Sequence, residues 1–149
     1  GVNAGTSAAA FDFDGDGASE LVIADETSLR ILRGRDGAVL ASAPAATCIV
    51  GRGYPVVADL DSDGNAEILA GSSSACTGSQ TSGLQAFGEA ADRFVGARGI
   101  WNQHAYHVTN VNEDGTLPWP PKVSWLENNS FRQRASFELP EVSRVWRPR

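Results

Sequence analysis

The sequence predicts an all-β fold of about three four-stranded antiparallel repeats, either part of a β-propeller or an open array of blades. Acidic, glycine-containing segments recur along the 149 residues at spacings of 47 and 51 residues, which suit blades of about 40–50 residues. The runs that flank these segments are short, apolar and rich in β-branched residues, as strands are. No amphipathic helical pattern extends beyond about two turns.

The first repeat unit is predicted over residues of about 7–48. Two strands flank its acidic turn, and the second of them covers residues 20–24. Residues 28–33 alternate apolar and polar side chains, as a half-buried strand does. The glycine-containing residues 34–37 form a turn, and residues 38–41 follow as the fourth strand.

A second unit is predicted over about 54–96, with a longer connection rich in serine, glycine and threonine, and a third over about 104–135. The third is irregular, because Pro118 and Pro120 stand where its second strand should begin. Residues 136–149 are expected to form an extended arm or a linker. Three units are too few for a ring of about 4–8 blades, so we expect a processed or partial chain.

The acidic turns carry the predicted chemistry. Each has carboxylates at positions 1, 3, 5 and 9, which repel one another unless a cation neutralises them. Oxygen ligands without cysteine or histidine favour Ca²⁺, and position 7 would add its backbone carbonyl. The predicted ligands are Asp12, Asp14, Asp16, Ala18 and Glu20 in the first turn and Asp59, Asp61, Asp63, Asn65 and Glu67 in the second.

These turns have two other interpretations. An EF-hand begins with the same spacing, but it needs a glutamate at position 12 and flanking helices. Position 12 holds Ile23 in the first turn and Ala70 in the second, and the flanks are predicted strands. An Asp/Gly-rich hairpin turn without an ion is the other alternative, and the presence of two matched copies favours calcium over it.

A third, weaker copy has Asn110, Asn112 and Asp114 at positions 1, 3 and 5, with Thr116 at position 7. Pro118 occupies position 9, so three of the four charges are absent. The sequence leaves open whether this copy is a weak third calcium site or a metal-free turn.

The charge of the chain is concentrated in these turns. Residues 1–92 contain 13 acidic and four basic residues, whereas residues 93–149 contain five acidic and eight basic residues. Eight of the 13 acids lie within residues 12–20 and 59–67. Basic residues are few and dispersed, which disfavours a nucleic-acid partner. No apolar run is long enough for a membrane helix, so membrane insertion is not expected.

The two cysteines, Cys48 and Cys76, lie 28 residues apart, a spacing that fits neither a CxxC redox motif nor a four-ligand zinc site. The polar, small-residue surroundings of Cys76 favour a disulfide over two buried thiols. A disulfide would place the protein in an oxidising compartment. We therefore expect an extracellular or cell-surface location.

The first acidic turn and its flanks, residues 11–23, resemble the FG-GAP/VCBS repeat, the calcium-loop blade of integrin-α-type propellers and of bacterial surface proteins. The family pattern D-x-D-G-D-G-x-x-D/E is met at residues 12–20 and, with Ser62 in place of glycine, at residues 59–67. The resemblance extends over about residues 7–135. It implies a blade fold and calcium ligation by the carboxylates of both turns.

These features favour a non-enzymatic, calcium-binding extracellular module that acts as a scaffold, adhesion or assembly unit. No nucleophile motif indicates an enzyme. One alternative is a propeller fragment that binds or cleaves polysaccharide, because the four tryptophans could line a sugar-binding face. Another is a self-assembling subunit of a filament or surface layer, which would associate through blade edges or the C-terminal arm. A glycan or protein ligand is a further expected partner.

Overall fold

A computed structural model describes residues 8–45, 54–73, 82–127, 130, 131 and 133. Within these residues, strands form one antiparallel sheet of four strands and one of three, and a single short helix follows. The predicted all-β class is therefore confirmed. The elements are β1 (Ala8–Phe11), β2 (Glu20–Ala24), β3 (Ser28–Leu32), β4 (Val39–Pro44), β5 (Val56–Ala58), β6 (Glu67–Ser72), β7 (Gly83–Phe87) and α1 (Ser124–Glu127).

The first sheet is a meander in which β1, β2, β3 and β4 are neighbours in chain order. Successive residues of a strand point to opposite faces, so Val22 in β2 and Leu29 and Ile31 in β3 are buried. Val22 lies opposite Ile31 in the register of these two strands. The predicted β3–β4 turn closes where the N–H of Arg33 donates to the carbonyl of Ala38 at 2.8 Å.

The second sheet repeats the start of the first 47 residues later. Phe11 pairs with Glu20 in the first sheet, and Ala58 pairs with Glu67 in the second. The connection from β6 to β7 spans residues 73–82 and is much longer than the β2–β3 turn. The sequence predicts four strands here, whereas the described residues of the second sheet form three.

The course of the chain after β7 explains this difference. Residues 88–99, which we call the crossing segment, leave the sheet and run between the two acidic turns. The N–H of Val95 donates to the carbonyl of Phe13 at 3.1 Å, and the carbonyl of Arg98 accepts a hydrogen bond from the N–H of Asp59 at 3.3 Å. These residues hydrogen-bond to the acidic turns and do not add a strand to the sheet.

A single hydrophobic core joins the two sheets. Phe11 and Val22 from the first sheet share it with Val57 and Ile68 from the second, and each of the four is at most 1% exposed. Burial of one such side chain stabilises the fold by about 1.5–3 kcal/mol. Because β1 and β5 belong to this core, the acidic turns that follow them start from fixed positions.

The prediction of a third blade is wrong for the described residues. In the part of the chain described between residues 104 and 133, turns and the four-residue α1 replace the expected strands. Pro118, Pro120 and Pro121 explain the change, because proline has no N–H to donate to a sheet ladder. No helix of the described residues has the length and apolar content needed to cross a membrane.

A buried arginine organises this strand-free region. Arg98 is 6% exposed, and its guanidinium donates to the hydroxyl of Tyr106 at 3.2 Å and to the carbonyls of Val108 and Val111 at 3.1 and 2.9 Å. Its Nε also lies 2.6 Å from a carboxylate oxygen of Glu113. The third acidic copy is thus anchored to the protein by a side-chain cation.

Candidate metal centres

The first acidic turn joins β1 to β2, and two glycines set its path. Gly15 and Gly17 have φ angles of 76° and 87°, in the left-handed region where a Cβ atom is strained. A Cβ added at Gly15 would also meet Cγ1 of Val95 at 3.1 Å. The crossing segment therefore packs closely against this turn.

The second acidic turn joins β5 to β6 and follows the same path. Ser62 and Gly64 have φ angles of 67° and 101° and stand 47 residues after Gly15 and Gly17. A serine rarely adopts this conformation. The turn geometry is thus kept in the second copy even where the residue type disfavours it.

Backbone amides of the first turn point at its aspartates. Asp12 accepts hydrogen bonds from the N–H of Gly15 at 2.7 Å and from that of Gly17 at 3.0 Å. Asp14 and Asp16 each accept a bond from the amide two residues further on, at 3.2 and 2.7 Å. These bonds hold three carboxylates in one short turn despite their mutual repulsion.

The second turn has the same hydrogen bonds. Asp59 accepts from the N–H of Ser62 at 2.6 Å and from that of Gly64 at 3.1 Å. Asp61 and Asp63 accept from the amides two residues further on, at 3.3 and 2.8 Å. Each of these bonds has a counterpart 47 residues earlier, so the two turns are structural copies.

The glutamates at position 9 reach back across their turns. Glu20 accepts a hydrogen bond from the N–H of Phe13 at 3.0 Å, and Glu67 accepts one from the N–H of Leu60 at 2.8 Å. Burial raises the pKa of both glutamates, the amide hydrogen bond lowers it, and the three aspartates of the same turn raise it further, with a net increase. A bound cation would stabilise the charged form that burial and repulsion disfavour.

Three of the four predicted carboxylates converge in each turn. The two groups are Asp12, Asp14 and Glu20 in the first turn and Asp59, Asp61 and Glu67 in the second. In each group, one oxygen per residue lies within 4.8 Å of the others. Two oxygens bound at about 2.4 Å to one Ca²⁺ are at most about 4.8 Å apart. The spacing and the all-oxygen donor set therefore fit a shared calcium ion.

The remaining predicted ligands take other positions. Asp16 is not part of the first convergent group, and its carboxylate accepts the N–H of Ala18. Asp63 likewise accepts the N–H of Asn65. Calcium ligation by the backbone carbonyls at position 7 stays a prediction.

Asp92 is a candidate ligand that sequence spacing did not reveal. Its carboxylate lies within 4.8 Å of those of Asp63 and Glu67, although it is 25 residues beyond Glu67. The crossing segment brings it there, and Asn65 fixes its backbone by donating an Nδ2 hydrogen bond to its carbonyl at 3.4 Å. No local pattern around residue 92 carries this signal, because the contact depends on how the chain returns to the turn.

The repeated turns have a counterpart in a known family. Residues 12–70 match the family of FG-GAP-like repeats. We call these residues the FG-GAP-like region, after the family that they match. The match begins at the first aspartate of the first turn and includes the whole of the second turn. The predicted resemblance to the FG-GAP/VCBS repeat is thereby confirmed over residues 12–70.

The chain is also similar to a solved structure, that of the V. cholerae biofilm matrix protein Bap1. The TM-score is 0.75 and the sequence identity is 31%. The similarity covers 89% of this chain and 22% of that protein, so the chain spans about a fifth of the length of Bap1. No curated protein sequence matches the chain.

The third acidic copy lies beyond the FG-GAP-like region and has a different network. The Nδ2 group of Asn110 donates to the carbonyl of Ala105 at 2.9 Å, and that of Asn112 donates to the hydroxyl of Thr116 at 2.9 Å. Hydrogen bonds from the side chain and backbone of Thr116 lower the pKa of Asp114. Hydrogen bonds within the chain thus engage these side chains, and metal binding here stays a prediction.

Two further predictions concern residues beyond these turns. Cys48 and Cys76 lie outside the described residues, as does the C-terminal arm, so neither the disulfide nor the arm is tested. Among the tryptophans of the described residues, Trp101 stacks on Tyr106, with ring centroids 4.8 Å apart, and Trp119 is 92% exposed.

Proposed function

We propose that the chain is a non-enzymatic, calcium-stabilised extracellular repeat module with a scaffold role. The observation that carries this proposal is the duplication of one turn geometry, with three converging carboxylates in each copy. A single acidic turn is common without an ion. Two copies with matching hydrogen bonds, dihedral angles and partly desolvated glutamates support a shared chemical purpose.

Calcium would act on folding through these turns. An ion that binds the native turns and not the unfolded chain stabilises the protein by about 2.7 kcal/mol per site at a concentration 100 times its Kd. Because β1, β2, β5 and β6 all enter the common core, an ordered turn keeps these strands in register. The ions would thus hold the two blades together.

An extracellular scaffold role rests on the comparisons and on the chemistry of the site. Bap1 is a biofilm matrix protein, and the present chain is similar to part of it. Extracellular calcium modules work with Kd values of about 10⁻⁴–10⁻³ M, a range suited to partly exposed turns such as these. We propose that the module is secreted and contributes a rigid, calcium-dependent unit to a matrix.

Thermal unfolding with and without calcium tests the proposal. We expect Ca²⁺ at 100 times its Kd to raise the Tm by about 5–10 °C per site relative to chelator. The double variants Asp14→Asn/Asp16→Asn and Asp61→Asn/Asp63→Asn should each lose part of this increase. Asparagine keeps the Oδ1 acceptor that each aspartate uses in its turn, so the loss reports lost charge and not a broken turn.

The matched control is the pair Glu26→Gln/Asp36→Asn, which removes the same charge from the β2–β3 and β3–β4 turns, outside the predicted calcium ligands. It should keep the full calcium-dependent increase in Tm. An equal Tm for the wild-type protein with calcium and with chelator, across the range of calcium concentrations of extracellular modules, would refute calcium stabilisation.

A second candidate, glycan binding, is favoured by a cleft of about 610 Å³ between the sheets. Phe13, Phe87 and Phe94 contribute aromatic walls, and Glu89 and Arg93 contribute polar groups. Clefts of about 300–1,000 Å³ with apolar walls and a few polar groups are typical of small-molecule sites. A neutral sugar ring would match this mixture.

A glycan array with the calcium-loaded chain tests this second candidate. Binding to defined glycans that Arg93→Ala and Phe87→Ala both weaken would support it, and the exposed Trp119→Ala variant serves as a control for nonspecific aromatic contact. The absence of binding to every glycan on the array would leave the scaffold role alone.

A further inference from the structure

We infer that the crossing segment couples the two acidic turns, so that Ca²⁺ bound in one turn raises the affinity of the other. The inference rests on the proposed calcium binding and adds a property that separate sites would lack. It is carried by contacts that connect residues 88–99 to backbone and side-chain groups of both turns.

The contacts to the first turn centre on Phe13. Its N–H donates to the position-9 ligand Glu20 at 3.0 Å, and its carbonyl accepts a hydrogen bond from Val95 at 3.1 Å. Phe13 therefore stands directly between a predicted ligand and the crossing segment. Cγ1 of Val95 also lies against Gly15, so a shift of this turn moves Val95 or breaks its hydrogen bond.

The contacts to the second turn are made by neighbouring residues of the same segment. Gly96 forms an antiparallel bridge with Asn65, the position-7 residue. The carbonyl of Arg98 accepts a hydrogen bond from the N–H of Asp59, the position-1 ligand, at 3.3 Å. The Nδ2 group of Asn65 also donates to the carbonyl of Asp92. The second turn thus contacts the segment at positions 1 and 7 of its ligand set.

Coupling follows from how close these contacts lie along the chain. Val95 contacts the first turn and Gly96 contacts the second, and consecutive Cα atoms are a fixed distance of about 3.8 Å apart. An ion that orders one turn fixes Val95 or Gly96 and restricts its neighbour. The second ion then binds a turn whose conformational freedom is already reduced, which gives positive cooperativity without a large structural change.

Calcium titration of three proteins measures the coupling. The wild type has both turns, Asp14→Asn/Asp16→Asn leaves the second turn intact, and Asp61→Asn/Asp63→Asn leaves the first intact. The coupling factor is the product of the two wild-type stepwise binding constants divided by the product of the two single-turn constants. Titration in about 0.5 M salt limits the effect of the altered charge at the other turn.

We expect a coupling factor of at least about fivefold, and a factor of one would overturn the inference. Absence of calcium binding by all three proteins would instead refute calcium binding itself, and the coupling with it.

Val95→Pro removes the N–H that contacts Phe13 and should bring the factor close to one, with both turns still binding. Because this variant can fail to fold, Asn65→Ala provides a second test through the lost contact to Asp92 and should lower the factor. A factor unchanged in both folded variants would refute the route through the crossing segment.

Discussion

At the scale of single residues, Ser62 shows what the turn geometry costs. It holds a φ of 67°, at the position where the first turn has Gly15 at 76°. The left-handed conformation costs a non-glycine residue about 1–2 kcal/mol, whereas the extra freedom of glycine in the unfolded chain costs about 0.5–1 kcal/mol. We therefore expect Ser62→Gly to raise the free energy of unfolding by about 0.5–1 kcal/mol, measured by urea denaturation.

The matched control for this substitution is Ser19→Gly, an exposed serine in the first turn whose φ is not positive. It should be destabilised by about 0.5–1 kcal/mol, because it gains freedom when unfolded without relief of strain. Equal effects of the two substitutions would contradict the account of strain at Ser62.

The ligand residues show how far sequence reasoning reaches at this scale. The spacing of the carboxylates predicted the acidic turns, because the ligands of each turn lie within nine residues and need only a local fold. Asp92 was not predicted, because its approach to Glu67 depends on the path of residues 88–99. The contact of Phe13 with Glu20 was missed for a related reason, since sequence does not show where a backbone N–H points.

At the scale of elements, the β2–β3 hairpin depends on one buried carboxylate. Asp25 is 4% exposed and accepts hydrogen bonds from the N–H groups of Thr27 and Ser28 at 2.9 and 2.8 Å. It also forms an ion pair with Arg30, whose Nη2 lies 2.7 Å from a carboxylate oxygen of Asp25. Burial raises its pKa, but these hydrogen bonds and the Arg30 charge outweigh burial and lower it. We expect Asp25→Ala to reduce the free energy of unfolding by about 1–3 kcal/mol, because buried donors lose their acceptor.

The comparison for Asp25 is Asp36, which caps the β3–β4 turn with an N–H bond from Ala38 at 3.0 Å but is exposed. Asp36→Ala should reduce the free energy of unfolding less than Asp25→Ala does, because exposed ion pairs and turn hydrogen bonds contribute little. Chemical denaturation of both variants measures the difference. A larger loss for Asp36→Ala than for Asp25→Ala would contradict the role of burial in this hairpin.

The strands themselves divide into predictable and unpredictable ones. Residues 20–24 and 28–33 were predicted because their alternating or β-branched patterns leave one interpretation. The start of β7 was not, because it follows a long connection of small polar residues without periodicity. The third unit was predicted as a blade from its acidic turn alone, and its prolines together with the buried Arg98 produce a strand-free structure.

At the scale of the whole molecule, charge links the turns to pH. The formal net charge is −6, and most of the acids of the first 92 residues lie in the two turns. In the ion-free protein, the raised pKa values of Glu20 and Glu67 contribute to the free energy of unfolding. This contribution is full below their ordinary pKa of 4.5 and is lost as pH rises through the higher folded values. We therefore expect the ion-free protein to become less stable as pH rises just above 4.5.

Saturating calcium should reverse this dependence, because the ion binds the deprotonated glutamates and its affinity rises with pH over the same interval. Asp25, whose pKa is lowered, loses its contribution only at lower pH. Urea unfolding at pH 5 and 7, with calcium and with chelator, gives the two slopes. The variant Glu20→Gln/Glu67→Gln should flatten both, and an ion-free slope that the double variant does not change would contradict the assignment to these glutamates.

The most direct test of the central claim is the number of calcium ions bound by the purified chain at equilibrium, measured by isothermal titration together with metal analysis. The two matched turns predict two ions per chain in the wild type and one in each single-turn variant, Asp14→Asn/Asp16→Asn and Asp61→Asn/Asp63→Asn. A wild-type chain that binds no calcium, or that binds the same number as the single-turn variants, would contradict it.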